Sequence, residues 1–303
     1  MSSKQTKLAC RRPAVAAAVF LAVQFFAPHD TARAQMSGPA MQTSAVVGPS
    51  AAAKPIVGTA PAVSATCTAR AELARFDRPL IHTMRRLAEG QPLTVVAIGS
   101  SSTAGAGASS PDATYPSRLA VELRARFPSR EITVLNRGVN GEETNNMMAR
   151  FPADVLAAHP QLVLWQIGTN SVLRDHPLNP HAVQLHDGIE RLKAAGADVV
   201  LIDPQFAPKV IAKADAEDMV NLISAEAKQG NVDLFPRFAI MREWRDRDGI
   251  PFEAFLSPDL LHMNDWSYAC IAKLLATSLS EAATRPFASA RAGGVRPAPP
   301  QGR

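Results

Sequence analysis

Three short, nearly unbroken apolar runs, at 93–98, 162–167 and 199–203, constrain this chain more than any other feature. A strand with one wet face alternates apolar and polar side chains, whereas a strand covered on both faces does not. The runs are separated by segments with helical spacing: 69–89 (apolar at Leu73, Phe76, Leu80, Ile81, Met84 and Leu87), 117–127, 142–158 with a bend at Pro152, 181–195, 212–229 and 266–280. Weaker strand patterns lie at 131–135 and 232–234. Buried strands alternating with helices predict an α/β fold, a parallel sheet of about five strands covered on both faces. Ligands in such sheets bind beyond the carboxyl ends of the strands, so chemistry is sought just past each run.

Three of four short motifs stand there. The first is Ile98-Gly99-Ser100-Ser101-Ser102-Thr103-Ala104-Gly105, the second Asn136-Arg137-Gly138-Val139-Asn140-Gly141, the third Ile167-Gly168-Thr169-Asn170. The fourth, Asp259-Leu260-Leu261-His262, precedes the last helical segment. A serine run after a strand is by itself an ordinary Gly/Ser turn, because a hydroxyl is a weak nucleophile until a base takes its proton. Asp259 and His262 are three apart, so on a helical turn they share a face. There the carboxylate can hold one ring nitrogen while the other faces the serine. An attacked carbonyl becomes an oxyanion that needs fixed donors; the Gly141 backbone N–H and the Asn170 side-chain amide are suitable groups. The ordered set supplies what a serine acyl-hydrolase requires. The glycines of the first motif lack the Gly-Lys-Ser/Thr ending of a phosphate loop. No serine stands three residues before a lysine, which removes the Ser/Lys class. His176, His181 and His186 diverge by about 140° on a helix, so no metal site is expected.

The formal net charge of +5 sits mostly at the ends. Lys4, Lys7, Arg11, Arg12 and Arg33 outnumber Asp30 in 1–34, and Arg285, Arg291, Arg296 and Arg303 lie in 285–303, leaving 35–284 net acidic. With no basic stripe interleaved with aromatics, nucleic acid is not an expected partner. Residues 1–34 read as an export signal: a charged start, an apolar run over 13–27, and Ala32-Arg33-Ala34 for cleavage after Ala34. The run is short of the roughly 20 residues a membrane span takes, so no stable membrane insertion is expected after cleavage. Arg11-Arg12 is followed by residues that suit general secretion better than the twin-arginine route. Cys10 precedes the apolar run, where a lipidated cysteine would follow it. Residues 35–66, rich in Ala, Pro and Ser, read as a disordered linker, 67–284 as the folded domain, and 285–303 as a disordered tail. Cleavage leaves Cys67 and Cys270, either a disulfide joining the two ends of the domain or two free thiols.

Taken together, the motifs resemble the SGNH/GDSL hydrolase family, whose four blocks carry Ser, Gly, Asn and a late Asp-x-x-His. The resemblance covers about residues 69–283. It implies a flavodoxin-like three-layer α/β/α fold with strand order 2-1-3-4-5 and no cofactor. It makes Ser101 the nucleophile, Asp259 and His262 its partners, and Ser101, Gly141 and Asn170 the oxyanion donors. Ser100 stands where the family usually has Asp, and Ser171 follows Asn170 where another Asp is common.

The reading is a monomeric, exported serine esterase, periplasmic or secreted, acting on a short acyl or acetyl group of a small-molecule or polysaccharide ester. An acyltransferase acting on a polysaccharide through the same acyl-enzyme, and a non-catalytic carbohydrate-binding protein that keeps the fold, are the alternatives. The aromatic stretch 235–244 with Phe252 and Phe255 is either an apolar rim for substrate or packing beneath the last helix.

Overall fold

A computed structural model of the protein describes residues 66–285. The expected signal at 1–34, nearly all of the linker 35–66 and the tail beyond Arg285 lie outside the described residues. In chain order the elements are α1 (Ile81–Ala88), β1 (Leu93–Gly99), α2 (Ser101–Ala104), α3 (Tyr115–Arg126), β2 (Ile132–Gly138), α4 (Thr144–Ala149), β3 (Leu162–Gln166) and α5 (Thr169–Leu173). They continue with α6 (Asn179–Ala194), β4 (Asp198–Ile202), α7 (Pro208–Ile211), α8 (Ala216–Gln229), β5 (Asp233–Phe235), α9 (Arg237–Asp246), α10 (Phe252–Phe255) and α11 (Asp265–Thr284). The five strands pair in parallel in the order β2-β1-β3-β4-β5, as the resemblance implies. The register runs Leu93 opposite Ile132, Val95 opposite Leu162, Leu162 opposite Asp198 and Val200 opposite Asp233.

The uniform apolar runs have the cause assigned to them: β3 is buried at every residue and β1 at all but one. Helices α1, α3 and α11 pack together as one group, and α4, α6 and α8 as another. On the second side Trp165 of β3 lies so close to α6 that a Cβ on Gly188 would stand 2.3 Å from its ring.

Several sequence expectations change in detail. The helix expected over 69–89 begins only at Ile81. Pro79 lacks an N–H and disfavours helical backbone before it, and the preceding residues are held by long-range bonds, including the Arg70–Glu243 ion pair. The segment 142–158 breaks where Pro152 stands, into α4, a π-turn at Phe151–Val155 and a 3-10 turn at Leu156–Ala158. The segment 212–229 is helical only from Ala216. The aromatic stretch is no substrate rim: Phe235, Phe238, Trp244 and Phe255 are buried, and α9 carries Phe238 and Trp244 into the core. Phe206 packs edge-on to Phe238 with centroids 5.1 Å apart, and only Phe252 remains half-buried. Cys67 and Cys270 form a disulfide across 203 residues of sequence. Among the described residues no helix is long and apolar enough to cross a membrane.

Candidate active site

The first motif turns directly from β1 into α2, with Ser101 as the first helical residue. Its N–H therefore has no acceptor one turn back within the helix. Its neighbours face inward. Ser100 is 2% exposed, and its N–H and Oγ both donate to Gln166 Oε1 at 2.9 and 3.1 Å. Ser102 is 1% exposed and Thr103 Oγ1 also donates to Gln166. Among the three adjacent serines, only Ser101 reaches the histidine. Its Oγ stands 2.8 Å from His262 Nε2. The turn is pressed against the end of β2, where a Cβ on Gly138 would lie 2.0 Å from the Ala104 nitrogen, so no side chain fits there.

The fourth motif is not helical. Helix α11 starts only at Asp265, capped by Asn264, whose side chain accepts from the Ser267 N–H. Asp259 to His262 form a tight turn closed by a bridge between Leu256 and Met263 and by the Ser257 N–H on the His262 carbonyl at 2.8 Å. Leu260 has φ 53°, outside helical backbone. The cause is the Asp259 carboxylate, which competes for local backbone donors as short polar side chains do in turns. Its Oδ1 accepts from Ser257 Oγ (2.7 Å), Leu261 N–H (3.0 Å) and His262 N–H (2.9 Å). Its Oδ2 lies 2.5 Å from His262 Nδ1.

That set governs the ionisation of Asp259. Desolvation is the largest single influence and raises its pKa. The hydrogen bonds from Ser257, from His262 and from the Leu261 N–H together outweigh it, and the carboxyl is held well below the usual range. An ionised carboxylate only accepts, so Nδ1 of the neutral ring carries the proton and Nε2 accepts from the Ser101 hydroxyl. The ring is thus held in the tautomer a general base needs.

The second and third motifs meet beside the serine. Gly141 has φ 77°, and the Arg174 guanidinium donates to its carbonyl at 2.9 Å. Asn170 Nδ2 donates to the Glu142 carbonyl at 2.7 Å. Four residues that motif reading missed fasten this corner. Glu143 accepts from Ser171 Oγ at 2.9 Å and from Arg174 at 2.5 Å, and lies 2.9 Å from His176 Nδ1. Burial raises the Glu143 pKa most, but the bonds from His176, Ser171 and Arg174 outweigh it and hold the carboxyl low. Arg150 binds Glu142 and donates to the Arg137 carbonyl at 2.6 Å. The sequence hint was the acidic pair Glu142-Glu143 directly after Gly141; nothing in it indicated partners some 30 residues away.

Beneath the site, beyond β4, Asp203 and Arg237 are fully buried. Asp203 Oδ1 accepts from the Phe238 N–H at 2.8 Å, and Arg237 Nε donates to the Asp203 carbonyl at 3.0 Å. Burial pushes the Asp203 carboxyl up to about 7, against the opposing pull of the Phe238 N–H and the Arg237 charge.

Comparisons with known proteins bear on the fold and the family. The chain is 29% identical over 124 residues to an arylesterase of Vibrio mimicus, covering 40% of this chain and 62% of that protein. It is 33% identical over 79 residues to an acetylxylan esterase of Geobacillus stearothermophilus, covering 26% and 36%. The matches therefore span less than two thirds of the length of either relative. Among solved structures, a two-domain esterase active on acetylated mannans superposes with a TM-score of 0.60 at 21% identity, over 70% of this chain and 56% of that one. TesA superposes with a TM-score of 0.54 at 21% identity, over 62% of this chain and 99% of its own. These neighbours share the fold of this chain. A model of the Non-GDSL lipase-like family matches residues 66–285, more than half of the sequence: the chain belongs to the Non-GDSL lipase-like family.

Proposed function

We propose that the protein is an exported serine esterase that removes short acyl groups, acetyl foremost, from carbohydrate esters, with 67–284 as its catalytic domain. Ser101 Oγ attacks the ester carbonyl while His262 Nε2 takes its proton. Asp259 holds the ring and stabilises the imidazolium that forms. The N–H groups of Ser101 and Gly141 and the second N–H of the Asn170 amide receive the oxyanion. The imidazolium returns its proton to the leaving alcohol, and water attacks the acyl-enzyme by the same base catalysis in reverse order. The observation that carries the reading is the unbroken relay from Asp259 Oδ2 to His262 Nδ1 at 2.5 Å and from His262 Nε2 to Ser101 Oγ at 2.8 Å. The carbohydrate acetyl substrate is supported by the names of the acetylxylan and acetylated-mannan esterases above. Export is supported by the Cys67–Cys270 disulfide, because such bonds persist in oxidising compartments.

Hydrolysis of p-nitrophenyl acetate, butyrate and octanoate, and acetate release from acetylated xylan and mannan, test the reading with Ser101→Ala alongside. Loss of kcat on the order of 10⁶-fold in the variant is expected, with acetate the fastest acyl group. Turnover that survives Ser101→Ala would remove Ser101 from its role. Asn170→Ala should lower kcat by on the order of 10²–10³.

A further inference from the structure

Three of the four motifs converge on a side chain that belongs to none of them. Gln205 lies in the irregular stretch just past β4 and is 0% exposed. Its Oε1 accepts from Thr169 Oγ1 at 3.0 Å, from Arg237 Nη2 at 3.0 Å and, at a longer 3.4 Å, from Ser102 Oγ. Its Nε2 donates to the Leu261 carbonyl at 3.3 Å. The amide cannot be the other way round. A guanidinium only donates and a carbonyl only accepts, so the oxygen must face Arg237 and the nitrogen Leu261.

Each of the three loop partners is the immediate neighbour of a residue in the proposed chemistry: Ser102 of Ser101, Thr169 of Asn170, Leu261 of His262. A buried amide stabilises a fold only when its groups are bonded, and an apolar side chain would fill the same volume without needing a buried arginine beside it. What the amide supplies that an apolar filler does not is direction. Apolar contacts let packed loops slide by fractions of an ångström, whereas hydrogen bonds set both distance and angle. The geometry points to Gln205 as a positioning residue that holds the serine turn, the asparagine turn and the histidine turn in register. The proposal rests on the esterase reading of Ser101 and His262.

Two variants of the full-length protein test it. Gln205→Met keeps the size and removes every bond. Gln205→Glu keeps the shape and an acceptor for Arg237 and Thr169, and replaces only the donor to Leu261 with an oxygen that repels its carbonyl. Two quantities are read in variants whose thermal unfolding remains cooperative: kcat and KM on p-nitrophenyl acetate, and the downfield proton resonance of His262 Nδ1–H in its bond to Asp259. The expected result is a kcat lower by about 10- to 100-fold, the scale of loss from sub-ångström to 1 Å misplacement, with KM nearly unchanged and the resonance shifted or broadened. If Gln205→Met does not fold, Gln205→Glu decides alone. Unchanged kcat and an unchanged resonance in a folded variant overturn the proposal and leave Gln205 as core filling. If the wild-type protein shows no Ser101-dependent turnover, the esterase reading fails separately, and the resonance alone decides whether Gln205 holds the histidine turn.

Discussion

Ser101 and His262 meet across a single 2.8 Å contact, yet the chain on either side of it is built differently. On the serine side the turn grows out of strand β1, buried at all but Thr94, is flanked by the buried Ser100 and Ser102, and leaves no room for a Cβ at Gly138. Its position follows from packing. On the histidine side the turn is largely exposed, and Asp259 holds it from within by accepting from Ser257, Leu261 and His262. Its position follows from local hydrogen bonds, from the cap of α11 and from the reach of Gln205. The two sides of one contact are therefore fixed by different means, close packing on one and directed hydrogen bonds on the other.

Four experiments would break or sharpen that contrast. The largest effect belongs to Asp259→Asn, which removes the partner that fixes the histidine tautomer; kcat should fall on the order of 10⁴-fold while the serine side stays intact, as labelling of the unfolded-versus-folded protein and its melting curve would show. The same variant carries a pH signature. The folded carboxyl of Asp259 lies below its unfolded value near 4, so its stabilisation is present above about pH 4 and fades as pH falls through the folded value. Acid unfolding curves should therefore converge between wild type and variant at low pH. A difference that grows on acidification would reverse the sign.

Next comes the disulfide. It fixes α11 eight residues beyond His262, and Cys270→Ser should lower stability by about 2–5 kcal/mol, measured by denaturant unfolding. Because the turn is held from within, kcat well below the melting temperature should barely change; a parallel collapse of kcat would mean that α11, not Asp259, places the histidine. Gly138→Ala should cost about 1–3 kcal/mol, since the new Cβ meets backbone rather than a yielding side chain. Here stability and kcat should fall together, and a drop in kcat alone would contradict placement by packing. The smallest effect is expected from Leu260→Gly. Leu260 pays for a left-handed backbone with its side chain 37% exposed, so relief of that strain should raise stability by less than about 1 kcal/mol; calorimetry reads the sign.

The contrast also explains which features the sequence displayed. The sheet was legible because burial on both faces writes itself as an unbroken apolar run, as at 162–167. The groups of the candidate site were legible because each lies in a short motif, three of them past a strand and the fourth before the last helix. Helix limits were less so where a proline intervened: Pro79 and Pro152 cut segments whose apolar spacing alone reads as continuous helix. The form of the turn at Asp259 was not legible, because spacing by three suits a helical turn and a side-chain-capped turn equally well, and only the competition of the carboxylate for the Leu261 and His262 N–H groups separates them.

What the sequence by itself determined is therefore local: the buried strands, their order of chemistry along the chain, and the serine, glycine, asparagine and Asp-x-x-His groups. What the tertiary structure decided is which of these meet. That Ser101, and not Ser100 or Ser102, reaches His262 is a contact across 161 residues. The Glu143 corner, the disulfide, the burial of the aromatic stretch in α9 and the junction at Gln205 likewise join residues far apart in sequence. The physical reason is that periodicity records how much water a residue meets, a property of its own segment, whereas a hydrogen bond between segments exists only once the sheet order and the loop lengths have brought the segments together.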